Sequence, residues 1–320
     1  YNIIFRDLKP SNILLDDYLF PKIIDFGISR TISNSNDSLT CGIGTLFYMP
    51  PESLREEKYG KSFDVYSFAI TVYEIITGLR PFSNFRKRMQ IYSEVGENGK
   101  RPEFTEPIPD CWRDLIERCW SQEPKERPTF EEIVNILRTD SRFITSNIQV
   151  EDFQNYVKYI DESQSEIGYH PPRNKKDYIT KLKTGPFHKV NIFLYLNEAK
   201  RTKMLSIDLK FINLNKFEKQ EKIGEGGFGT VYKVIDKKTG KIYAAKISID
   251  NLDQCSDDNI KNLEREVSII SKLNYPSIMK FIGFNSKNFK NKSKPTIITE
   301  LLTNGSLDKI IELERMSCGN

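Results

Sequence analysis

The run Gly224-Glu225-Gly226-Gly227-Phe228-Gly229 limits what this chain can fold into more than any other stretch, once the strands on its C-terminal side are considered with it. Glycines at G-x-G-x-x-G spacing suit a backbone that must approach phosphates closely, with no Cβ in the way. The string alone is ambiguous, since dinucleotide-binding folds place it between a strand and a helix. Here Thr230 to Ile247 reads strand, Lys-Thr-Gly turn, strand. Glu221–Ile223, Val231–Ile235 and Ile242–Ile247 are β-rich and bounded by turn residues, so the glycines lie within a hairpin. Neither the helix nor the ribose-binding acid of a dinucleotide site is evident, which makes a nicotinamide-dependent oxidoreductase the least favoured reading.

The third strand delivers Ala244-Ala245-Lys246. A lysine at the end of a strand is ordinarily solvated. At this distance behind a glycine loop it suits the cation that pairs with phosphates, and it then needs an anion to hold it. Glu266, on a helix predicted over Asp257 to Leu273, supplies one. The plainer reading of Glu266 is a surface charge beside Glu264, Arg265 and Lys272. Two more strands are predicted, around Met279–Phe284 and Thr296–Glu300.

The opposite end of the chain carries different chemistry. Phe5-Arg6-Asp7-Leu8-Lys9-Pro10-Ser11-Asn12 comes first, and Asp25-Phe26-Gly27 comes after a short strand pair. Phosphoryl transfer needs a carboxylate to orient the hydroxyl nucleophile, a cation near the moving group, and oxygen ligands for Mg²⁺. Asp7 suits the first role, Lys9 the second, and Asn12 with Asp25 the third.

Together these residues resemble the eukaryotic protein kinase family. The glycine loop, strand lysine and helix glutamate resemble its ATP-binding N-lobe, and residues 5–27 its catalytic loop and D-F-G. The resemblance implies that Gly224, Gly226 and Gly229 close over ATP phosphates and that Val231 and Ala244 sandwich the adenine. It also implies Thr299 as gatekeeper and Glu300 to Leu302 as hinge, with ATP and Mg²⁺ as cofactors and proteins as substrates. Further motifs agree. Tyr48-Met49-Pro50-Pro51-Glu52 resembles the end of an activation segment, and Asp64-Val65-Tyr66-Ser67-Phe68 the central helix whose aspartate holds the catalytic-loop backbone. Arg127 would pair with Glu52, and this pair would be structural. Cys119-Trp120 and Arg127-Pro128-Thr129-Phe130 look tyrosine-kinase-like, whereas Lys9-Pro10-Ser11-Asn12 and Gly44-Thr45 look like Ser/Thr kinases. The combination resembles the tyrosine-kinase-like group acting on Ser/Thr.

One position departs from the pattern: Phe5 stands where the family has histidine. An aromatic replaces the bulk but not the hydrogen bond, so weakened rather than abolished activity is expected. Between Ile28 and Gly44 lie Ser29, Thr31, Ser33, Ser35, Ser38 and Thr40, plainly read as solvated loop residues. Arg6 is what a phosphate-ordered loop would require, which makes Ser38 or Thr40 the expected regulatory positions.

Composition narrows the rest. Five scattered cysteines without a CxxC pair fit reduced thiols and a cytoplasmic setting, and two histidines leave little for histidine metal chemistry. The most apolar stretch, near Phe68 to Leu79, is broken by Thr71, Glu74 and Thr77, so no membrane-inserted segment is expected. The chain opens at Tyr1 without Met, and its start is expected upstream. Residues Pro171 to Lys219 hold twelve Lys/Arg against four Asp/Glu. A solvated linker is the plainer reading of that excess and nucleic acid is not an expected partner, because no arginine-rich or aromatic-interleaved run appears.

The expected fold class is α+β and protein-kinase-like. Residues 1–140 form a mainly helical partial C-lobe, 141–216 a linker with one or two helices, and 217–320 a partial β-rich N-lobe. Helices are predicted over Phe63 to Thr77 with Gly78 as stop, over Trp112 to Trp120, and over Phe130 to Leu137 with Thr129 as N-cap. The catalytic half precedes the ATP half, the reverse of a single kinase. A segment of a tandem-kinase protein is favoured over circular permutation, since the helix expected before the catalytic loop, roughly 20 residues, is found at neither end. On that reading the two sets of catalytic groups belong to different active sites, lobe–lobe docking is possible, and the first half exposes an apolar core face. A pseudokinase-type scaffold that binds ATP without turnover is the alternative function; the presence of Asp7, Asn12, Asp25, Lys246 and Glu266 weighs against it.

Overall fold

The computed structural model describes residues 3–17, 20–31, 45–85, 87, 89–144, 150–162, 211–226, 229–249, 257–273 and 275–318. The catalytic half is organised around one helix, Ser62–Thr77 (α2), which comes after a short turn of helix at Pro51–Leu54 (α1). Every residue of α2 from Phe63 to Ile75 is buried. A helix buried all round belongs in the middle of a core rather than on its surface. It stops at Gly78, whose φ of 70° is the left-handed conformation that glycine adopts without a Cβ penalty. Two amphipathic helices, Asp110–Cys119 (α3) and Phe130–Thr139 (α4), bury one stripe each. Thr129 caps α4 in a reciprocal box. Its hydroxyl accepts the Glu132 N–H at 3.2 Å, and the Glu132 carboxylate accepts the Thr129 N–H at 2.6 Å. A further helix, Val150–Glu162 (α5), lies at the start of the connector and contains the predicted aromatic stretch from Phe153; Val190–Leu196 falls outside the described residues.

Four short strands frame the catalytic loop. Ile3–Ile4 (β1) pairs with Arg30–Thr31 (β4), and Ile13–Leu15 (β2) with Pro21–Ile23 (β3), both antiparallel. These pairings hold the segments that carry Asp7 and Asp25 side by side.

The second half is a five-stranded antiparallel sheet of Phe217–Gly226 (β5), Gly229–Asp236 (β6), Ile242–Ser248 (β7), Phe281–Asn285 (β8) and Thr296–Glu300 (β9), in the order β5-β6-β7-β9-β8. Between β7 and β8 runs the helix Asp257–Lys272 (α6), and after β9 comes Leu307–Cys318 (α7). The sheet has a small core of its own, formed by Leu214, Phe217, Val234, Ala245 and Ile298.

The two halves share one further core. Ile269, Ile270, Leu273, Tyr275, Ile278, Leu307 and Ile311 pack into the same apolar cluster as Ile4, Leu8, Ile13 and Ile70. The exposed core face expected of the first half is not seen among the described residues. Its exposed large apolar side chains are Met89 and Tyr92, while α6 and α7 complete the cluster from the other half. Backbone bonds seal the contact. Ile23 donates to the Ser277 carbonyl at 2.8 Å and accepts from Met279 at 3.1 Å, and Leu15 donates to the Gly305 carbonyl at 3.0 Å. No helix of the described residues is long and apolar enough to cross a membrane.

Candidate active site

The catalytic loop turns sharply at Arg6, whose φ of 68° is unfavourable for a side-chain-bearing residue. The turn persists because it is over-determined. The carboxylate of Asp64, on α2, accepts the backbone N–H groups of Phe5 at 2.7 Å and Arg6 at 2.8 Å, which is the role expected of it. The buried Arg6 guanidinium donates to the Ile28 carbonyl through two nitrogens and to the Tyr59 hydroxyl at 2.9 Å. Phe5 fills the family's histidine position by packing edge-on to Phe26, with ring centroids 5.0 Å apart.

Beyond that turn, Asp7 is the centre of a polar cluster. One carboxylate oxygen accepts from the Lys9 ammonium at 2.8 Å and from the Asn12 amide at 2.7 Å; the other accepts the Thr45 hydroxyl at 2.8 Å. The Asn12 amide also donates to the Asp7 carbonyl at 2.9 Å. Thr45, noted in the sequence only as a mark of kinase class, thus touches Asp7 directly, and Lys9 donates to its hydroxyl as well. Its place in the Gly-Thr pair was the signal available.

Lys246 comes from β7 and reaches across to the catalytic half. Its ammonium lies 2.8 Å from Glu266, on α6, and 3.1 Å from Asp25. Burial works against the ammonium, but the Glu266 and Asp25 carboxylates outweigh it and hold its pKa above the usual lysine range. The pairing of Lys246 with Glu266 is therefore the anchored one, not the surface i,i+4 alternative. Asp25 itself has φ 62°, a left-handed geometry that aspartate tolerates better than most residues. The two sets of groups that the sequence order assigns to separate active sites face each other here across one cleft.

The roof of the cleft is the β5–β6 hairpin. Val231 sits opposite Gly224 on one side and Lys246 on the other; Ala244, buried, sits opposite Thr299 of β9. Thr299 is 5% exposed. Glu300 ends β9, exchanges backbone and side-chain bonds with Lys280, and lies 3.8 Å from Lys22 of the catalytic half. Leu302, two residues on, is half-buried. Asn304 and Gly305 then bond to Leu15 and Asp16, joining the segment after β9 to the catalytic loop's hairpin.

The glycines test whether phosphates fit. A Cβ on Gly229 would lie 2.6 Å from the Ile247 carbonyl oxygen, so this glycine is required by the protein itself. A Cβ on Gly226 would meet nothing within 4 Å, and one on Gly224 would make only ordinary contact with Val231. Nothing in the described chain demands glycine at 226, and a backbone without Cβ leaves room there for a phosphate. The donor set on the opposite wall is a lysine, an amide oxygen and carboxylates, the hard oxygen ligands and the cation that a Mg²⁺-bound triphosphate takes.

Two buried networks outside the cleft complete the scaffold. Arg127 and Glu52 form a bidentate pair with both distances 2.8 Å and side chains 0% and 1% exposed, as the sequence implied. Glu74 of α2 accepts the Tyr48 hydroxyl and, at 2.9 Å, Arg315 of α7, which also donates to the Gly78 carbonyl. Burial and the Glu74 carboxylate both raise the Tyr48 pKa, keeping the phenol protonated. No sequence pattern announced this cross-half network. Ser29, expected as a solvated loop residue, is buried and donates to the Phe5 carbonyl at 3.1 Å. Ser33, Ser35, Ser38 and Thr40 lie outside the described residues, as does Gly44.

Comparison with known proteins agrees with this geometry. The protein kinase domain family matches residues 1–137 and 217–319. A protein of Dictyostelium discoideum described as a probable serine/threonine-protein kinase is 43% identical over 136 residues, 42% of this chain and 10% of that protein. Serine/threonine-protein kinase STY17 of Arabidopsis thaliana is 36% identical over 136 residues, 42% of this chain and 24% of that protein. Receptor-interacting serine/threonine-protein kinase 4 of Mus musculus is 38% identical over 143 residues, 42% of this chain and 18% of that protein. The chain thus spans no more than a quarter of the length of these relatives. With both matched segments converging on one cleft, and the match covering well over half of its residues, the chain belongs to the protein kinase domain family.

Proposed function

We propose that this chain transfers the γ-phosphoryl group of ATP to serine or threonine hydroxyls of protein substrates, as a tyrosine-kinase-like enzyme with a Ser/Thr-type catalytic loop. The observation that carries the proposal is the Lys246 ammonium held between Glu266 and Asp25, across from the Asp7–Lys9–Asn12–Thr45 cluster. Residues 1–140 act as the catalytic lobe and 217–320 as the nucleotide lobe, joined through 141–216; whatever the origin of each half, they work as one composite site in the cytoplasm.

In this reading Gly224, Gly226 and Gly229 cover the phosphates, and Val231 and Ala244 face the adenine. Thr299, Glu300 and Leu302 line its far edge. Lys246 holds the α- and β-phosphates, kept in place by Glu266. Asn12 and Asp25 would hold Mg²⁺, which neutralises charge that develops on the phosphates. Asp7 accepts a hydrogen bond from the acceptor hydroxyl and aims its oxygen at the γ-phosphorus. The new O–P bond forms as the bond from the γ-phosphorus to the bridging oxygen breaks; ADP leaves, and the hydroxyl proton passes through Asp7 to solvent. Lys9, bonded to Asp7, supplies positive charge beside the moving group. Thr45 fixes the second Asp7 oxygen, so the carboxylate has one orientation.

Incubation of the full chain with radiolabelled ATP, Mg²⁺ and a general protein substrate, followed by phosphoamino-acid analysis, tests the proposal. Phosphoserine or phosphothreonine is expected, reduced by at least ~10³-fold in Asp7→Asn. ATP binding with no transfer by the wild-type chain favours a scaffold instead. Equal transfer by Asp7→Asn removes Asp7 from its role.

A further inference from the structure

The nucleotide half carries a second surface that phosphoryl transfer does not use. At one end of its sheet, β8 and β9 are joined by residues 286–295, which include Lys287, Lys290, Lys292 and Lys294 and no acidic residue. This turn is built. The Asn288 side-chain oxygen accepts the N–H groups of Lys290 at 2.9 Å and Lys292 at 3.1 Å, and the Asn288 N–H donates to the Lys292 carbonyl at 3.0 Å. Asn291 takes the left-handed conformation, with φ 57°. Phe289 packs against the small sheet core, and the Thr296 hydroxyl donates to the Lys287 carbonyl at 3.0 Å.

Lys294 is spent internally, donating to the Ile249 carbonyl at 2.6 Å. Lys287, Lys290 and Lys292 are exposed, and among the described residues none pairs with a carboxylate. Three like charges on one rigid turn repel one another, and nothing in the fold of the turn requires them. Large apolar side chains flank them on both sides. Phe211 is 69% exposed although its backbone is bridged to Phe284 and its ring lies 6.0 Å from that of Phe284. Ile249 is 47% exposed and comes after Ser248, whose N–H donates to the Pro295 carbonyl at 2.9 Å.

We propose that this end of the sheet docks on a membrane surface containing anionic phospholipid, with Lys287, Lys290 and Lys292 over the headgroups and Phe211 and Ile249 entering the interface. Lysine is a compact charge without the bidentate fork that arginine offers to a single phosphate, so it suits a diffuse anionic plane better than one defined phosphate group. An exposed aromatic beside such charges matches the headgroup region, where amphipathic and aromatic groups settle. Nucleic acid fits less well: the turn lacks arginine and has no row of aromatics on which bases could stack. The interaction is peripheral and salt-sensitive, and it requires no spanning helix.

Co-sedimentation of the full chain with vesicles of phosphatidylcholine alone, or with phosphatidylserine added, tests this independently of any kinase activity. Binding is expected only with phosphatidylserine, weakening as salt rises above ~0.1 M. The triple variant Lys287→Ala/Lys290→Ala/Lys292→Ala is expected to bind about a hundredfold more weakly, at roughly fivefold per lysine. Phe211→Ser is expected to weaken binding several-fold with no change in charge. Because the turn is held by Asn288 and backbone groups, the triple variant keeps the wild-type thermal unfolding, which separates lost docking from lost folding. Absence of binding to phosphatidylserine vesicles, equal binding to neutral vesicles, undiminished binding by the folded triple variant, or tighter binding to single-stranded RNA than to vesicles each overturns the proposal.

Discussion

The two halves of this molecule are stabilised in different ways. The catalytic half surrounds a helix buried from Phe63 to Ile75 and locks its loops with polar bonds: Glu52 to Arg127, Asp64 to the catalytic-loop backbone, and Glu74 to Tyr48. In the nucleotide half, the sheet rests on a five-residue core of its own and its first strand is mostly exposed. One half thus fixes the geometry of Asp7, Asn12 and Asp25, while the other presents a sheet with few buried side chains beneath it. Local stability tracks the density of buried apolar contacts, so the sheet is the part that opens first.

Both tryptophans, Trp112 and Trp120, are buried in the catalytic half, so their fluorescence reports on that half alone. This allows the contrast to be broken or sharpened. Arg127→Ala leaves Glu52 buried without its partner and should cost ~3–5 kcal/mol, read as a large fall in the denaturant midpoint of tryptophan fluorescence. Lys246→Ala should lower phosphate transfer by about 10²–10³-fold, in line with removal of one preorganised charged donor, while the tryptophan transition stays in place. A shift of that transition would mean that the halves do not unfold separately. Val234→Ala removes fully buried methyl groups from the small core and should cost ~2 kcal/mol. Hydrogen exchange in β5 and β6 should accelerate, with little change in α2. Phe5→His restores a hydrogen-bonding group at little change in bulk and should raise transfer by about fivefold. Activity that does not rise would show that packing against Phe26 is all this position contributes.

How much of this could be read from the chain depended on the range of the interactions. The cluster around Asp7 was legible because Asp7, Lys9 and Asn12 lie within six residues of one another, so the residues that bond to each other stand in a contiguous string. Helix α4 was legible for the same reason: Thr129 and Glu132 cap it locally, and it only runs two residues past the predicted Leu137. Strand β5 was legible only at Glu221–Ile223, whereas it extends over Phe217–Gly226. Most of its side chains are exposed, so the alternation that marks a half-buried strand is missing. The contact between halves was illegible because its apolar and polar partners lie far apart in the chain, and part of it runs through backbone groups, such as Leu15 with Gly305 and Ile23 with Ser277, which no side-chain pattern announces. Arg6 held by Tyr59, and Glu74 held by Arg315, join residues 53 and 241 positions apart.

Helix α7 belongs to the nucleotide half by sequence but to the catalytic half by packing: Leu307 and Ile311 sit in the main core, and Arg315 is bonded to Glu74 and Gly78. The packing border between the lobes therefore does not coincide with the point where one segment of chain gives way to the next. It falls between Glu300 and Leu307, where the polypeptide itself crosses from roof to floor. A covalent crossing survives there regardless of which half is synthesised first. Reversing the order of the halves leaves that crossing untouched, so the order of the segments and the packing of the lobes are separable properties of this fold.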